Sequence, residues 1–177
     1  MSQAEIAGGR ITFAGELPRK GLGFPDFELM SSAQHPIRLS DYRGRSSVVL
    51  IFMDDQRVTT ELLSEVAHCY DDFKHEEAEV IAVAKSSVEE CARMKGRLKL
   101  PFVVLSDGDG RIHREVGASD EQGQAAAAAY VIDRYGEIFA IYRRRDGQAL
   151  PNAAEILNWL EFVNSQCPEC EPPEWPV

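Results

Sequence analysis

No cysteine lies between Met1 and His68 of this 177-residue chain. The four cysteines all come later, at Cys69, Cys91, Cys167 and Cys170. Chemistry that depends on a thiolate, whether attack on a substrate or ligation of a metal, is therefore excluded from the first part of the chain.

Long apolar runs and an excess of basic residues are also missing. No run approaches the roughly 20 apolar residues of a membrane-spanning helix, and the N-terminus has neither the basic start nor the apolar stretch of a signal peptide. The formal net charge of −10 at pH 7 disfavours a nucleic-acid partner, because such partners attract clustered lysine and arginine. We therefore expect a cytosolic location with no membrane or nucleic-acid partner, and we interpret the arginine run 143–145 as a solvated strand end.

Apolar and capping patterns predict strands that alternate with helices. The predicted strands are 37–39, 47–53, 79–83, 101–105, 130–132 and 138–142, with a further short strand at 10–13. The predicted helices are 60–74, a helix ending at 98 and capped by Ser87 or Ser86, 111–116, and 152–166. This order indicates an α/β domain with a mixed, partly parallel and partly antiparallel, central sheet flanked by helices.

Short segments in a fixed order carry a resemblance to a known family. They are Pro-Asp-Phe within 23–29, Leu-Ser-Asp-Tyr-Arg-Gly at 39–44, and the segments 70–74, 78–83, 100–102, 105–107 and 130–133. On these segments, between about residues 21 and 163, the chain resembles the alkyl hydroperoxide reductase and thiol-specific antioxidant family, the peroxiredoxin type of the thioredoxin fold. The resemblance implies a thioredoxin-like domain at 21–166, an N-terminal extension at 1–20 and a C-terminal tail at 167–177.

The same resemblance implies a cysteine nucleophile at the turn after the first long apolar strand. In this family one thiolate attacks a peroxide oxygen, and a distant arginine lowers its pKa. Counting back from Phe73 places the cysteine position on Thr59, counting forward from Phe52 places it near Glu61, and the arginine position falls on Ala127. A hydroxyl cannot form the sulfenic acid through which a thiol reduces peroxide. We therefore predict a degenerate family site, in which Thr59 is a helix N-cap and faces Ala127 across the former pocket.

The internal cysteines and the histidines have ordinary interpretations. Cys69 falls on the apolar stripe of its helix, which predicts a buried, inert thiol. Cys91 lies beside Glu90, whose charge opposes thiolate formation. The histidines are scattered without a metal-binding spacing, which predicts surface positions for His35, His68, His75 and His113.

Cys167 and Cys170 form a C-x-x-C pair directly after the last predicted helix. In a reducing compartment such a pair is more often redox-active or metal-binding than a structural disulfide. Three interpretations stay open: a reversible dithiol, half of a zinc site completed by a second copy of the chain, and a pair without a role. Glu169, Glu171 and the preceding helix C-terminus all disfavour a thiolate.

Two hypotheses of function follow. The first is an antioxidant-type thiol oxidoreductase of the redoxin family, without the usual peroxidatic cysteine, whose redox chemistry is carried by Cys167 and Cys170. The second is a catalytically silent thioredoxin-fold module that binds or dimerises, with a zinc site shared across the dimer. The resemblance implies a homodimer and a thiol or disulfide electron donor as partners, and no cofactor is expected. Trp159, Phe162 and Trp175 flank the cysteine pair and predict that the tail folds back onto a surface.

Overall fold

The computed structural model describes residues 16–54 and 57–166. These residues form a seven-stranded mixed sheet in the order β2-β1-β5-β4-β3-β6-β7. The strands are β1 Glu28–Ser31, β2 Pro36–Arg38, β3 Ser47–Phe52, β4 Ala78–Ala84, β5 Val103–Ser106, β6 Ala128–Ile132 and β7 Ile138–Arg143. The helices are α1 Arg57–His68, α2 Tyr70–His75, α3 Val88–Leu98, α4 Arg111–Val116 and α5 Ala153–Ser165. The predicted α/β fold with a mixed central sheet is confirmed.

The central strands are buried on both faces, which explains their continuous apolar sequences. In β3, Val49 and Ile51 face the layer formed with α1, α3 and α5. Leu50 and Phe52 face the opposite layer, which includes α4. All four side chains are fully buried, and burying each contributes roughly 1.5–3 kcal/mol.

Three neighbouring strands end or begin side by side at one edge of the sheet. β3 pairs antiparallel with β6, with Phe52 opposite Ala128. β6 pairs antiparallel with β7, with Ala128 opposite Arg143. The residue before Ala128 and the residues just after Phe52 and Arg143 are therefore brought together at the C-terminal end of β3.

The helix that follows β3 differs from its prediction in two ways. The predicted helix 60–74 is divided at Cys69, whose backbone (φ −109°, ψ 28°) leaves the helical conformation. The Cys69 carbonyl accepts from Asp72 N at 3.0 Å and starts α2. Because α1 begins at Arg57, Thr59 lies inside its first turn, and the prediction of Thr59 as the N-cap is wrong.

The other helices follow their local signals closely. Ser87 caps α3 through a reciprocal pair, in which Glu90 N donates to Ser87 Oγ at 3.2 Å and Ser87 N donates to the Glu90 carboxylate at 3.0 Å. Asn152 and Glu155 form the same arrangement at the start of α5. The predicted cap at Ser87 is confirmed, whereas the role of Asn152 as a cap was not predicted.

Some predictions remain open and one strand was missed. The division of the chain at 20/21 and 166/167 stays a prediction, and the strand proposed at 10–13 lies outside the described residues. β1 was not predicted, and it pairs antiparallel with β2 and β5. Among the described helices, none has the length and apolarity to cross a bilayer.

Candidate functional site

The candidate site lies where β3 ends and α1 begins. Met53 extends the pairing of β3 with β4 by one residue beyond Phe52, because its N–H donates to the Val83 carbonyl at 2.8 Å. Asp54 follows directly. From the other side, Arg144 N donates to the Ala127 carbonyl at 3.0 Å, which ties the end of β7 to the start of β6.

The side chains at this site contact one another. Thr59 is fully buried, and its hydroxyl donates a hydrogen bond to Oδ1 of Asp54. Oδ2 of Asp54 lies 3.9 Å from Nη1 of Arg144, and the Asp54 side chain is only 7% exposed. Thr59 is thus connected to Ala127 through Asp54 and Arg144, so both predicted positions belong to one cluster at this edge.

This arrangement opposes thiolate chemistry. The Thr59 hydroxyl already has a carboxylate partner, and a hydroxyl cannot become a sulfenic acid. A thiol at the same position would lie beside the negative charge of Asp54, which raises a thiol pKa. Ala127 is fully buried and carries no charge that could compensate.

Arg143 departs from its prediction. Only Arg144 and Arg145 of the arginine run are exposed, whereas Arg143 is 8% exposed. Its Nε donates to the Tyr130 hydroxyl oxygen at 2.8 Å, and Nη2 donates to the Pro18 carbonyl. Arg143 therefore ties the segment before β1 to the sheet, and the prediction of a solvated strand end is wrong for this residue.

Neither described cysteine is suited to redox chemistry at neutral pH. Burial, reinforced by the charge of Glu90, raises the pKa of Cys91 to about 11. Burial, followed by the charge of Asp72, also raises the pKa of Cys69. The predicted inert thiols agree with this environment, although Cys69 is only half-buried.

The predicted surface position of His113 is also wrong. This residue is fully buried, with Nδ1 2.6 Å from Oδ2 of Asp107. Asp107 also accepts the backbone N–H groups of Ile112 at 3.2 Å and His113 at 2.8 Å. Burial raises the pKa of Asp107, but the hydrogen bonds and charge of His113 outweigh it and lower the pKa overall. The other three histidines are exposed, as predicted: His35, His68 and His75.

Within residues 16–54 and 57–166, no group of three or more histidine, cysteine or acidic side chains is placed to hold a metal ion. Cys167 and Cys170 lie outside the described residues. Their predicted roles as a redox pair or as zinc ligands therefore stay predictions.

Comparison with known proteins identifies the family. Residues 21–141 match the AhpC/TSA family. The chain belongs to this family. Peroxiredoxin Q, chloroplastic, of Sedum lineare is 30% identical over 129 residues, which cover 71% of this chain and 69% of that protein. The protein of the same name from Oryza sativa subsp. japonica is also 30% identical over 129 residues, and this chain spans 59% of its length.

Solved structures show the same fold at lower identity. The Xylella fastidiosa PrxQ C47S mutant superposes with a TM-score of 0.73 at 21% identity, over 84% of this chain and 98% of that one. AhpC/TSA membership and the peroxiredoxin-type thioredoxin fold, predicted from the sequence segments, are therefore confirmed.

Proposed function

We propose that this chain is a thiol oxidoreductase of the AhpC/TSA family whose redox chemistry is carried by Cys167 and Cys170. The observation that carries the proposal is the hydrogen bond from the buried Thr59 hydroxyl to Asp54. It fills the strand-to-helix turn with a hydroxyl and a carboxylate, so the nucleophile has to come from another part of the chain.

Elimination among the thiols supports this choice. The chain has four cysteines, and the raised pKa values of Cys69 and Cys91 keep both protonated at neutral pH. A thiolate is the reactive species in peroxide reduction and in disulfide exchange. Cys167 and Cys170 are the thiols that remain for such chemistry.

The proposed reaction is a two-electron oxidation of the pair. One thiolate attacks a hydroperoxide oxygen, the O–O bond breaks, and the leaving oxygen takes up a proton as water or an alcohol. The other thiol then attacks the sulfenic sulfur, water leaves and the disulfide forms. A thiol electron donor restores the dithiol by disulfide exchange and is itself oxidised.

A redox titration combined with zinc analysis tests the proposal. We expect one two-electron transition in the parent protein that is lost in Cys167→Ser and retained in the matched control Cys69→Ser. A zinc site shared between two chains would instead give about half a metal ion per chain, removed by a chelator together with the association of the chains.

A silent binding or dimerisation module is the second candidate. The contacts among Thr59, Asp54 and Arg144 favour it, because the Asp54 carboxylate already accepts from the Thr59 hydroxyl and faces Arg144 at 3.9 Å. If the titration shows neither a transition nor zinc, and Cys167→Ser/Cys170→Ser matches the parent in stability and association, the silent module becomes the better description.

A further inference from the structure

A partly exposed cluster of aromatic side chains lies where α5 packs beside β7. It consists of Phe139, Trp159 and Phe162, called here the aromatic face. The ring centroids of Phe139 and Phe162 are 6.2 Å apart, and those of Trp159 and Phe162 are 5.9 Å apart. Phe162 is 49% exposed, the highest value among the exposed large hydrophobic residues that the structure describes. Accessible apolar patches that group several aromatic rings are typical of interaction surfaces.

The aromatic face is held in place before anything binds to it. Trp159 Nε1 donates to the Tyr142 hydroxyl oxygen at 2.8 Å. The Lys20 ammonium lies 4.5 Å from the centroid of the Trp159 ring, a favourable cation–π geometry. Fixed side chains reduce the entropy lost when a partner docks.

The backbone beside the aromatic face is already paired. Gly21 N donates to the Ile138 carbonyl at 2.9 Å, and Ile138 N donates to the Leu22 carbonyl at 3.0 Å. The start of β7 therefore offers no free strand edge to a second copy of the chain at this point. A partner of the aromatic face has to bind through side chains.

We propose that residues 167–177 of the same chain dock on the aromatic face, with Trp175 packed against Phe162 and Trp159. The tail starts beside this surface, because Gln166 Nε2 donates to the Phe162 carbonyl at 3.3 Å. Trp159 lies about 10 Å back along the helix axis from Gln166. The segment from Gln166 to Trp175 can span up to about 30 Å, so the tail has ample length to turn back.

Charge and composition fit the same occupant. The tail carries three carboxylates, at Glu169, Glu171 and Glu174, and Lys20 forms no ion pair with another described residue. Four prolines restrict the tail: Pro168, Pro172, Pro173 and Pro176. Their fixed φ angles lower the entropy that the tail loses on docking. Proline-rich segments commonly bind aromatic surfaces.

This docking does not rest on the proposed redox function, because it requires no change at Cys167 or Cys170. The chain has two tryptophans, Trp159 and Trp175, so labelling with 5-fluorotryptophan gives one fluorine NMR signal for each. Trp175→Phe assigns the two signals, and a peptide of sequence 166–177 gives the undocked reference for Trp175.

We expect the Trp175 signal of the full chain to be displaced from the peptide reference and less accessible to a soluble quencher. Phe162→Glu should return the signal to the reference, while Met30→Glu, at a 41% exposed residue on β1, should leave it unchanged. Lys20→Glu should shift the Trp175 signal part of the way to the peptide reference and remove the salt dependence of the signal.

Three results would overturn the inference. The first is a Trp175 signal that coincides with the peptide reference in the parent. The second is a displaced signal that does not respond to Phe162→Glu or Lys20→Glu. The third is a displacement that grows with protein concentration, which would assign the contact to a second copy of the chain.

Discussion

The hydroxyl of Thr59, in the first turn of α1, donates a hydrogen bond to the carboxylate of Asp54, which precedes the helix. This contact pairs a hydroxyl with a carboxylate at the strand-to-helix turn. Arg144, which approaches from the end of β7, faces the second oxygen of the same carboxylate at 3.9 Å. The positive charge of Arg144 is therefore directed to an acid and not to a nucleophile.

Restoring a thiol at the turn should not restore activity. In Thr59→Cys we expect the thiol pKa to lie above its ordinary value, because the nearest charge is the Asp54 carboxylate and Ala127 supplies no cation. The pH dependence of alkylation measures this pKa. In Thr59→Cys/Asp54→Asn the pKa should be lower than in the single variant, and an unchanged pKa would show that Asp54 does not control the site.

Removing the hydroxyl should cost stability. Thr59→Val keeps the side-chain shape but takes one donor from the buried Asp54, for which we expect a loss of about 2 kcal/mol in the free energy of unfolding. Thr60→Val, at the adjacent half-buried position, is the matched control and should change stability by less than about 0.5 kcal/mol. Urea unfolding of both variants gives the comparison, and equal losses would argue against the hydrogen bond.

Cys91 should make stability fall at alkaline pH. Its pKa in the folded protein is raised to about 11, so above roughly pH 8.5 the unfolded chain ionises this thiol while the folded protein keeps it protonated. The stabilisation is therefore complete below the unfolded pKa and is lost as pH rises through the folded value, with a maximum of about 3 kcal/mol. From pH 8 upward, the free energy of unfolding should fall less steeply with pH in Cys91→Ala than in the parent. An equal pH dependence in the two proteins would contradict this.

Asp107 should be a strong contributor to stability. Asp107→Ala removes the acceptor for the His113 ring and for two backbone N–H groups, with an expected loss of about 3 kcal/mol. Asp109→Ala, an exposed acid that accepts from Arg111 N at 2.9 Å, is the control and should cost about 1 kcal/mol or less.

The Asp107 contribution should also depend on pH. The folded pKa of this group is lowered, so its stabilisation is present above the unfolded value of about 3.9 and is lost as pH falls through the folded value. The difference in unfolding free energy between the parent and Asp107→Ala should therefore narrow on acidification. A difference that stays constant between neutral and acidic pH would show that the charge of Asp107 does not matter.

Local signals were sufficient for much of the fold. The apolar run of β3 and the capping of α3 by Ser87 depend on neighbouring residues. The strand was predicted from the sequence, and Ser87 was one of the two caps predicted for the helix. The order of the family segments extended these local predictions to the fold as a whole, which the structure and the relatives bear out, although β1 was missed.

The errors concern contacts that only the folded chain creates. Arg143 bonds to Pro18 across 125 positions of sequence, so its burial has no local signal. His113 is buried because α4 presents it to Asp107 and to the Phe52 ring, 5.1 Å away. The predicted start of α1 was three residues too late, which placed Thr59 outside the helix. The hydrogen bond from Thr59 to Asp54 was therefore not predicted.

We expect the thiol chemistry of this chain to be carried by Cys167 and Cys170 and not by the strand-to-helix turn. The most direct measurement is peptide mass mapping of the fully reduced protein after reaction with one equivalent of hydrogen peroxide. We predict one disulfide between Cys167 and Cys170, with Cys69 and Cys91 still reduced. Oxidation at Cys69 or Cys91 ahead of the tail pair, or rapid peroxide consumption that survives in Cys167→Ser/Cys170→Ser, would contradict it.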